Sequence, residues 1–293
     1  MPIFLILHAF IVLFPVLFPF TSASVPVAIW HGLGDCSKCD FVEVLTSYLK
    51  LGIPENRIHA VHIGSGDKQE KRNSVFMHLN NQIELACSQL KDIQYLADGY
   101  NAIGISQGGL LFRAVAQRCP FPRIYNLTTF GSPHQGVYGV NIGTNFKAKF
   151  VDKIAKTLAY NKHFQNNIVP FQYWHDPFRK QQYRRKSTFL ADINQEIKFN
   201  ASYKENILNL KNLILIKYTN DSVVIPAESA WFGVFDSTGL TVKKLEQTVL
   251  YKKDLLGLRT LNEDGRLIRL EVNGSHLKFD KMLMLKILFR FYF

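Results

Sequence analysis

The sequence predicts an α/β protein: a mostly parallel central sheet with helices on both faces, interrupted by an inserted, mainly helical cap. Three observations carry that expectation. Short β-rich runs alternate with helically spaced apolar residues from about 25 to 130, the alternation stops between about 134 and 211, and it resumes at 213–218 (LILIKY). Parallel strands need a crossover between them, and strand–helix alternation supplies it while covering both faces of the sheet.

Each element follows in order. Residues 3–20 form an apolar run broken only by His8, and the small residues Thr21, Ser22, Ala23 and Ser24 come next. This reads as a secretory leader over residues 1–24, removed near Ala23 or Ser24. A membrane anchor is the alternative, since the run is close to spanning length, but Pro15 and Pro19 disfavour a straight helix. Residues 25–293 then read as one domain. Residues 25–30 (VPVAIW) form a strand that enters the glycine-rich turn His31-Gly32-Leu33-Gly34-Asp35. Apolar spacing predicts a helix over 41–51, a strand over 58–63 and one helix over about 75–96. A strand over 100–105, a helix over 107–117 and a strand over 124–130 complete the first half. The segment 134–211 is polar, aromatic and helical in pattern, and reads as the inserted cap. Strands at 213–218 and 267–272 and a terminal helix within 277–293 close the domain.

Of the 293 residues, 47% are hydrophobic, 13% aromatic and 20% charged, which supports a sizeable core and excludes chain-wide disorder. Thirty-five Lys and Arg against 23 Asp and Glu leave +12, an excess that suits an anionic lipid surface as partner. Nucleic acid is not expected, because the cations are dispersed and no nucleic-acid module is visible. Cys36 and Cys39 flank Ser37-Lys38, which is neither a thioredoxin-type interior nor half of a two-pair zinc site, so no metal is expected. Together with Cys87 and Cys119 they read as structural disulfides of an oxidising compartment. Four cysteines allow three pairings; the expected one joins Cys36 to Cys39, and Cys87 to Cys119 near the ends of two helices flanking the third strand. Glycosylation acceptor patterns begin at Asn126, Asn200, Asn220 and Asn273. Asn126 sits in a strand-like run and should be buried; Asn200 and Asn220 are the expected acceptors.

Gly104-Ile105-Ser106-Gln107-Gly108 is a G-x-S-x-G motif that ends an apolar strand and opens a helix. That placement is the nucleophile elbow of the α/β-hydrolase fold, where a sharp turn exposes the serine hydroxyl. Such a serine needs a histidine base, and this fold orders the partners Ser, acid, His along the chain. Only His134, His163, His175 and His276 follow Ser106, and the first three lie at or inside the cap, which leaves His276. Asp221 stands directly after the 213–218 strand and its Thr219-Asn220 extension; Asp236 and Glu228 are the reserve acids. The carboxylate would orient the imidazole. Oxyanion donors are expected from the amides of Gln107 and of Leu33 in the early glycine turn, whereas His31 reads as a packing residue.

Several pieces go beyond the fold: IWHGLGD (29–35), GYNAIGISQGG (99–109), RAVAQRCP (113–120), HQGV (134–137), YWHDP (173–177), FLADINQE (189–196), Asn220-Asp221 and WFG (231–233). They resemble the palmitoyl-protein thioesterase family of lysosomal α/β-hydrolases, which remove fatty acyl groups from cysteine. The resemblance runs from about Val27 to His276 and implies catalytic Ser106, Asp221 and His276. It implies S-palmitoylated proteins or peptides and long-chain acyl-CoA as substrates, no cofactor, and a fatty-acyl groove in the insertion, for which Phe171, Tyr173 and Trp174 are the aromatic candidates. Leu33 replaces the family's usual methionine, the family's extra cysteine pair early in the insertion is missing, and the stretch 184–187 lacks a sequon seen in relatives. The rival readings are a lipase or phospholipase acting on oxygen esters, and a non-catalytic lipid carrier.

Overall fold

The computed structural model describes residues 24–139, 146–278 and 280–293. The leader reading lies outside them but for Ser24. Strands β1 (Val27–Trp30), β2 (Ile58–Ala60), β3 (Tyr100–Ile105), β4 (Ile124–Phe130) and β5 (Asn212–Tyr218) precede a small antiparallel hairpin of β6 (Val234–Phe235) and β7 (Val242–Lys243); β8 (Leu267–Val272) follows. The main sheet has six parallel strands in the order β2-β1-β3-β4-β5-β8. All four residues of β1 and all six of β3 are buried, as expected of strands covered on both faces.

The helices before the break are α1 (Asp40–Leu49), α2 (Asp67–Phe76), α3 (Leu79–Asp92) and α4 (Gln107–Arg118). The inserted stretch holds α5 (Phe146–Leu158), α6 (Lys162–Asn167), α7 (Val169–Gln172), α8 (Lys180–Lys186), α9 (Leu190–Ile193) and α10 (Ala201–Leu208). After the hairpin come α11 (Val249–Lys252), α12 (Leu258–Glu263) and α13 (Lys281–Phe291). Alternation along the strands sorts the core into two layers. Val27, Ile29, Ile103, Ile105 and Ile216 pack with Val42, Leu45 and Leu49 of α1 and with Met284, Ile287 and Leu288 of α13. Ala28, Trp30, Ala102, Leu213 and Leu215 pack on the other face with α3, α4 and the inserted helices. Each fully buried leucine in these layers stabilises the fold by about 1.5–3 kcal/mol.

The single helix read over 75–96 is two helices, α2 and α3. Met77 is extended between them, and His78 caps α3 by accepting the amide of Asn80. The amphipathic signal began only at Val75 because α2 is polar along most of its length (DKQEKRNSVF), and what it buries is Glu70 and Ser74. Its inner face is polar, bonding the 34–37 turn and Gln107. The hairpin and short helices between β5 and β8 were also illegible, since two-residue strands leave no periodicity. This is the α/β-hydrolase fold, with the G-x-S-x-G turn between β3 and α4.

Both disulfides form as paired above, Cys36–Cys39 and Cys87–Cys119. The second ties α3 to the C-terminus of α4 across a separation of 32 residues. A loop of that length contributes about 3–4 kcal/mol in the chain-entropy picture.

Candidate active site

Ser106 stands between β3 and α4 with φ 51° and ψ −119°, strained values for a non-glycine residue. Glycine makes the turn possible at two neighbouring points. A Cβ at Gly104 would fall on the backbone of Gly109, and one at Gly108 would meet the carbonyl of Trp30. Close contact between β3, α4 and β1 therefore pushes the serine hydroxyl outward.

The hydroxyl meets an imidazole. His276 Nε2 lies 3.1 Å from Ser106 Oγ, and His276 Nδ1 lies 2.6 Å from Asp221 Oδ2. The loops that bring these residues together are stitched to each other. Thr219 Oγ1 donates to Asn273 Oδ1 and accepts the amide of Gly274, and the amide of Asn220 donates to the carbonyl of Gly274. Asp221 Oδ1 accepts the amides of Val223 and Val224 at 2.9 Å each, so both carboxylate oxygens are engaged in a side chain only 1% exposed. Gly131 packs so closely on the imidazole that a Cβ there would sit 3.0 Å from His276 Cε1. The reserve acids lie elsewhere: Asp236 bonds Thr238 and Thr241, and Glu228 faces Lys217.

Opposite the imidazole runs the His31–Asp35 turn. The Asp35 amide closes it on the carbonyl of Gly32, which leaves the amide of Leu33 outside the closure. A Cβ at Gly32 would lie 3.3 Å from Ser106 Cβ, so this turn borders the serine. Gln107 is the first residue of α4, and its amide has no intrahelical acceptor. These two amides can serve an oxygen anion beside Ser106.

The buried face of α2 holds both donors in place. Ser74 Oγ accepts the amide of Gly34 at 2.8 Å, while the Ser74 carbonyl accepts Gln107 Nε2 at 3.0 Å. One turn earlier Glu70 accepts the amide and hydroxyl of Ser37 and faces His31 Nε2 at 3.6 Å. The sequence reading missed Ser74 and Glu70, for nothing in a polar helix marks which face turns inward.

A family model described as palmitoyl protein thioesterase matches residues 26–276. The chain belongs to the palmitoyl protein thioesterase family. It is 39% identical over 278 residues to palmitoyl-protein thioesterase 1 of Caenorhabditis elegans, covering 93% of each chain. Palmitoyl-protein thioesterase 3 of Dictyostelium discoideum is 37% identical, with 92% of this chain and 91% of that one covered. The lysosomal thioesterase PPT2 of Bos taurus is 31% identical over 88% of this chain and 83% of that one. A solved monoacylglycerol lipase of Paleococcus ferrophilus overlays with a TM-score of 0.47 at 14% identity, over 91% of this chain and 95% of that one.

Within this chain the three aromatic candidates differ. Tyr173 reaches the site, its hydroxyl donating to Gln107 Oε1 at 3.2 Å. Trp174 is 1% exposed and packs on Tyr138 and Phe171, and Phe171 packs on Phe164. The Trp174 side chain is thus enclosed by other aromatics. A cavity of about 360 Å³ opens where His175, Lys180 and Gln195 face the hairpin residues Phe235 and Asp236; Ser106, Asp221 and His276 do not line it. Asn126 is buried and bonded to Asn101 and Asn212, whereas Asn200, Asn220 and Asn273 are exposed.

The histidines set a pH dependence of stability. His134 is fully enclosed, stacked on Phe232 and bonded to Thr129, and burial first, then the nearby Arg113 cation, hold its pKa well below the usual value. Burial also lowers His31, partly offset by the Gly32 carbonyl and Glu70. Below about pH 6.5 the unfolded chain takes up protons that these histidines refuse, so stability falls as the solution is acidified. The thermal midpoint is expected to drop between about pH 7 and about pH 5, with a shallower slope in His134→Gln. An identical slope in that variant would place the linkage elsewhere.

Proposed function

We propose that this chain is a serine thioesterase that removes long-chain fatty acyl groups, palmitoyl foremost, from protein cysteines, and that also accepts long-chain acyl-CoA. The observation that carries the reading is the line from Ser106 Oγ through His276 to Asp221, set in a chain of this family. Ser106 attacks the thioester carbonyl while His276 Nε2 takes its proton, Asp221 holding Nδ1 and steadying the imidazolium. The tetrahedral oxyanion sits between the amides of Leu33 and Gln107. Collapse breaks the carbon–sulfur bond and releases cysteine thiol, leaving an acyl-enzyme. Water, deprotonated by the same imidazole, then frees the fatty acid and restores Ser106. Thiol pKa values near 8.5 make the leaving group a good one, and the scheme uses no metal or organic cofactor.

The segment 134–211 serves in this reading as the acyl-binding cap. If it binds the chain, each buried methylene contributes about 0.8 kcal/mol, so two carbons are worth roughly tenfold in kcat/KM. The test is kcat/KM on acyl-cysteine substrates of increasing length, with matched oxygen esters alongside. A steep rise that levels near palmitate supports the thioesterase; a flat profile, or oxyesters turned over equally well, favours the lipase reading. Exposed Asn200 and Asn220, the two disulfides and relatives named as lysosomal thioesterases support a glycosylated, lysosomal protein. No helix among the described residues is long and apolar enough to cross a membrane.

Ser74 should act through the oxyanion donors it positions. Ser74→Ala is expected to lower kcat about tenfold with KM nearly unchanged, less than the roughly 10²–10³ that losing a donor outright costs. Ser74→Thr, which keeps the hydroxyl, should recover most of it. Equal loss in both variants would assign Ser74 to packing alone.

A further inference from the structure

We propose that the outer face of α13 docks the protein onto an anionic lipid bilayer. The helix has two apolar faces, and the fold uses one. Met284, Ile287, Leu288 and Tyr292 are buried against the sheet, with the Tyr292 hydroxyl 2.7 Å from Thr128 Oγ1. On the opposite side Met282 and Phe289 are each 63% exposed and Phe293, just past the helix, is 44% exposed. With half-buried Leu285 these residues occupy positions i, i+3, i+7 and i+11, a single stripe along the helix. Phe293 packs edge-on to Phe289 and covers Gly52, next to the exposed Leu51, so the stripe continues onto the turn after α1.

Cations border the stripe on both sides. At 3.6 residues per turn Lys281 falls on one flank and Lys286 and Arg290 on the other, and all three are exposed. The acid at this helix, Asp280, caps its start by accepting the amide of Leu283. An apolar stripe flanked by long cationic side chains is the pattern of a helix lying in a bilayer interface, its rings among acyl chains and its ammonium and guanidinium groups at phosphate depth. A second copy of this chain fits the face less well, since a two-fold contact would set these cations against one another. A net charge of +12 draws the whole molecule toward an anionic surface. The inference is independent of the proposed chemistry, because docking is read without turnover.

The experiment is co-sedimentation of the chain freed of residues 1–24, the leader, with vesicles of phosphatidylcholine, alone or mixed with phosphatidylserine. Binding is expected only to the mixed vesicles, weakening with added salt. Lys286→Gln with Arg290→Gln should lower partitioning about thirtyfold. Met282→Ser with Phe289→Ser should lower it about tenfold or more. Both pairs are exposed, so thermal midpoint and hydrolysis of a water-soluble short-chain thioester should stay at wild-type values. Equal binding to both vesicle types, or binding unchanged by the variants, would overturn the proposal. A concentration-dependent dimer that Phe289→Ser dissolves would overturn it too, by giving the stripe to a second copy.

Discussion

Ser106→Ala is expected to lower kcat on a palmitoyl-cysteine peptide by about 10⁴–10⁶, and His276→Ala by a similar factor. The two losses should not add, because in the proposed scheme serine and imidazole act as a unit: without Oγ there is no proton for Nε2 to take. Asp221→Asn should cost somewhat less, about 10⁴, since an amide can still touch Nδ1 but stabilises the wrong tautomer and no imidazolium. The serine variant loses one oxygen at a turn already held by its glycine neighbours, so its thermal midpoint should hold. The measurement is single-turnover hydrolysis together with covalent labelling by a fluorophosphonate, which Ser106→Ala should abolish. Retained activity in His276→Ala would remove the base from the scheme. Full activity in Asp221→Ala would transfer the acid's role to another carboxylate.

Arg113→Met should be the most damaging change away from the serine, at about 3–5 kcal/mol of stability. The guanidinium is enclosed, and its contacts join three parts of the chain. It donates to the carbonyls of His134 and Ile193 and to Asn194 Oδ1, and it lies over the Phe232 ring. Burial pushes its pKa down to about 9, so it stays cationic at neutral pH. Methionine nearly fills the volume but leaves the His134 carbonyl and Asn194 Oδ1 buried without a donor, while the Ile193 carbonyl keeps Gln117 Nε2. Denaturant titration of the purified variant reads the loss directly. A loss below about 1 kcal/mol would mean that water enters and replaces the guanidinium.

The sequence and the structure agree most closely where chemistry and periodicity coincide. β1, β3, β4 and β5 are short apolar runs because both faces are covered, and the serine stands out because glycines can be spaced around it for only a few reasons. Elimination left His276 since every earlier histidine after Ser106 precedes the next strand, and Asp221 follows β5 almost directly. What could not be read depends on contacts between distant residues. Ser74 and Glu70 look like solvent-facing polar positions until α2 is packed on the 31–37 loop. Arg113 looks like a surface cation on a helix until the inserted segment folds over it. Aromatic character alone does not say whether Phe171, Tyr173 and Trp174 line a groove or fill an interior, since aromatics do both.

The sharing of one sheet face by α1 and α13 has a consequence for biosynthesis. Val42 and Leu45 near the start of the chain belong to the same layer as Met284 and Leu288 near its end, and the Tyr292 hydroxyl lies near the carbonyl of Ala102, 190 residues earlier. That layer cannot close while α13 is still inside the ribosome. Until α13 emerges the nascent chain therefore presents a half-covered apolar sheet face, an aggregation hazard that suits a chaperone's hold. Termination between His276 and α13 would yield a chain with every proposed reacting group but with that face covered by α1 alone, destined for degradation rather than for activity.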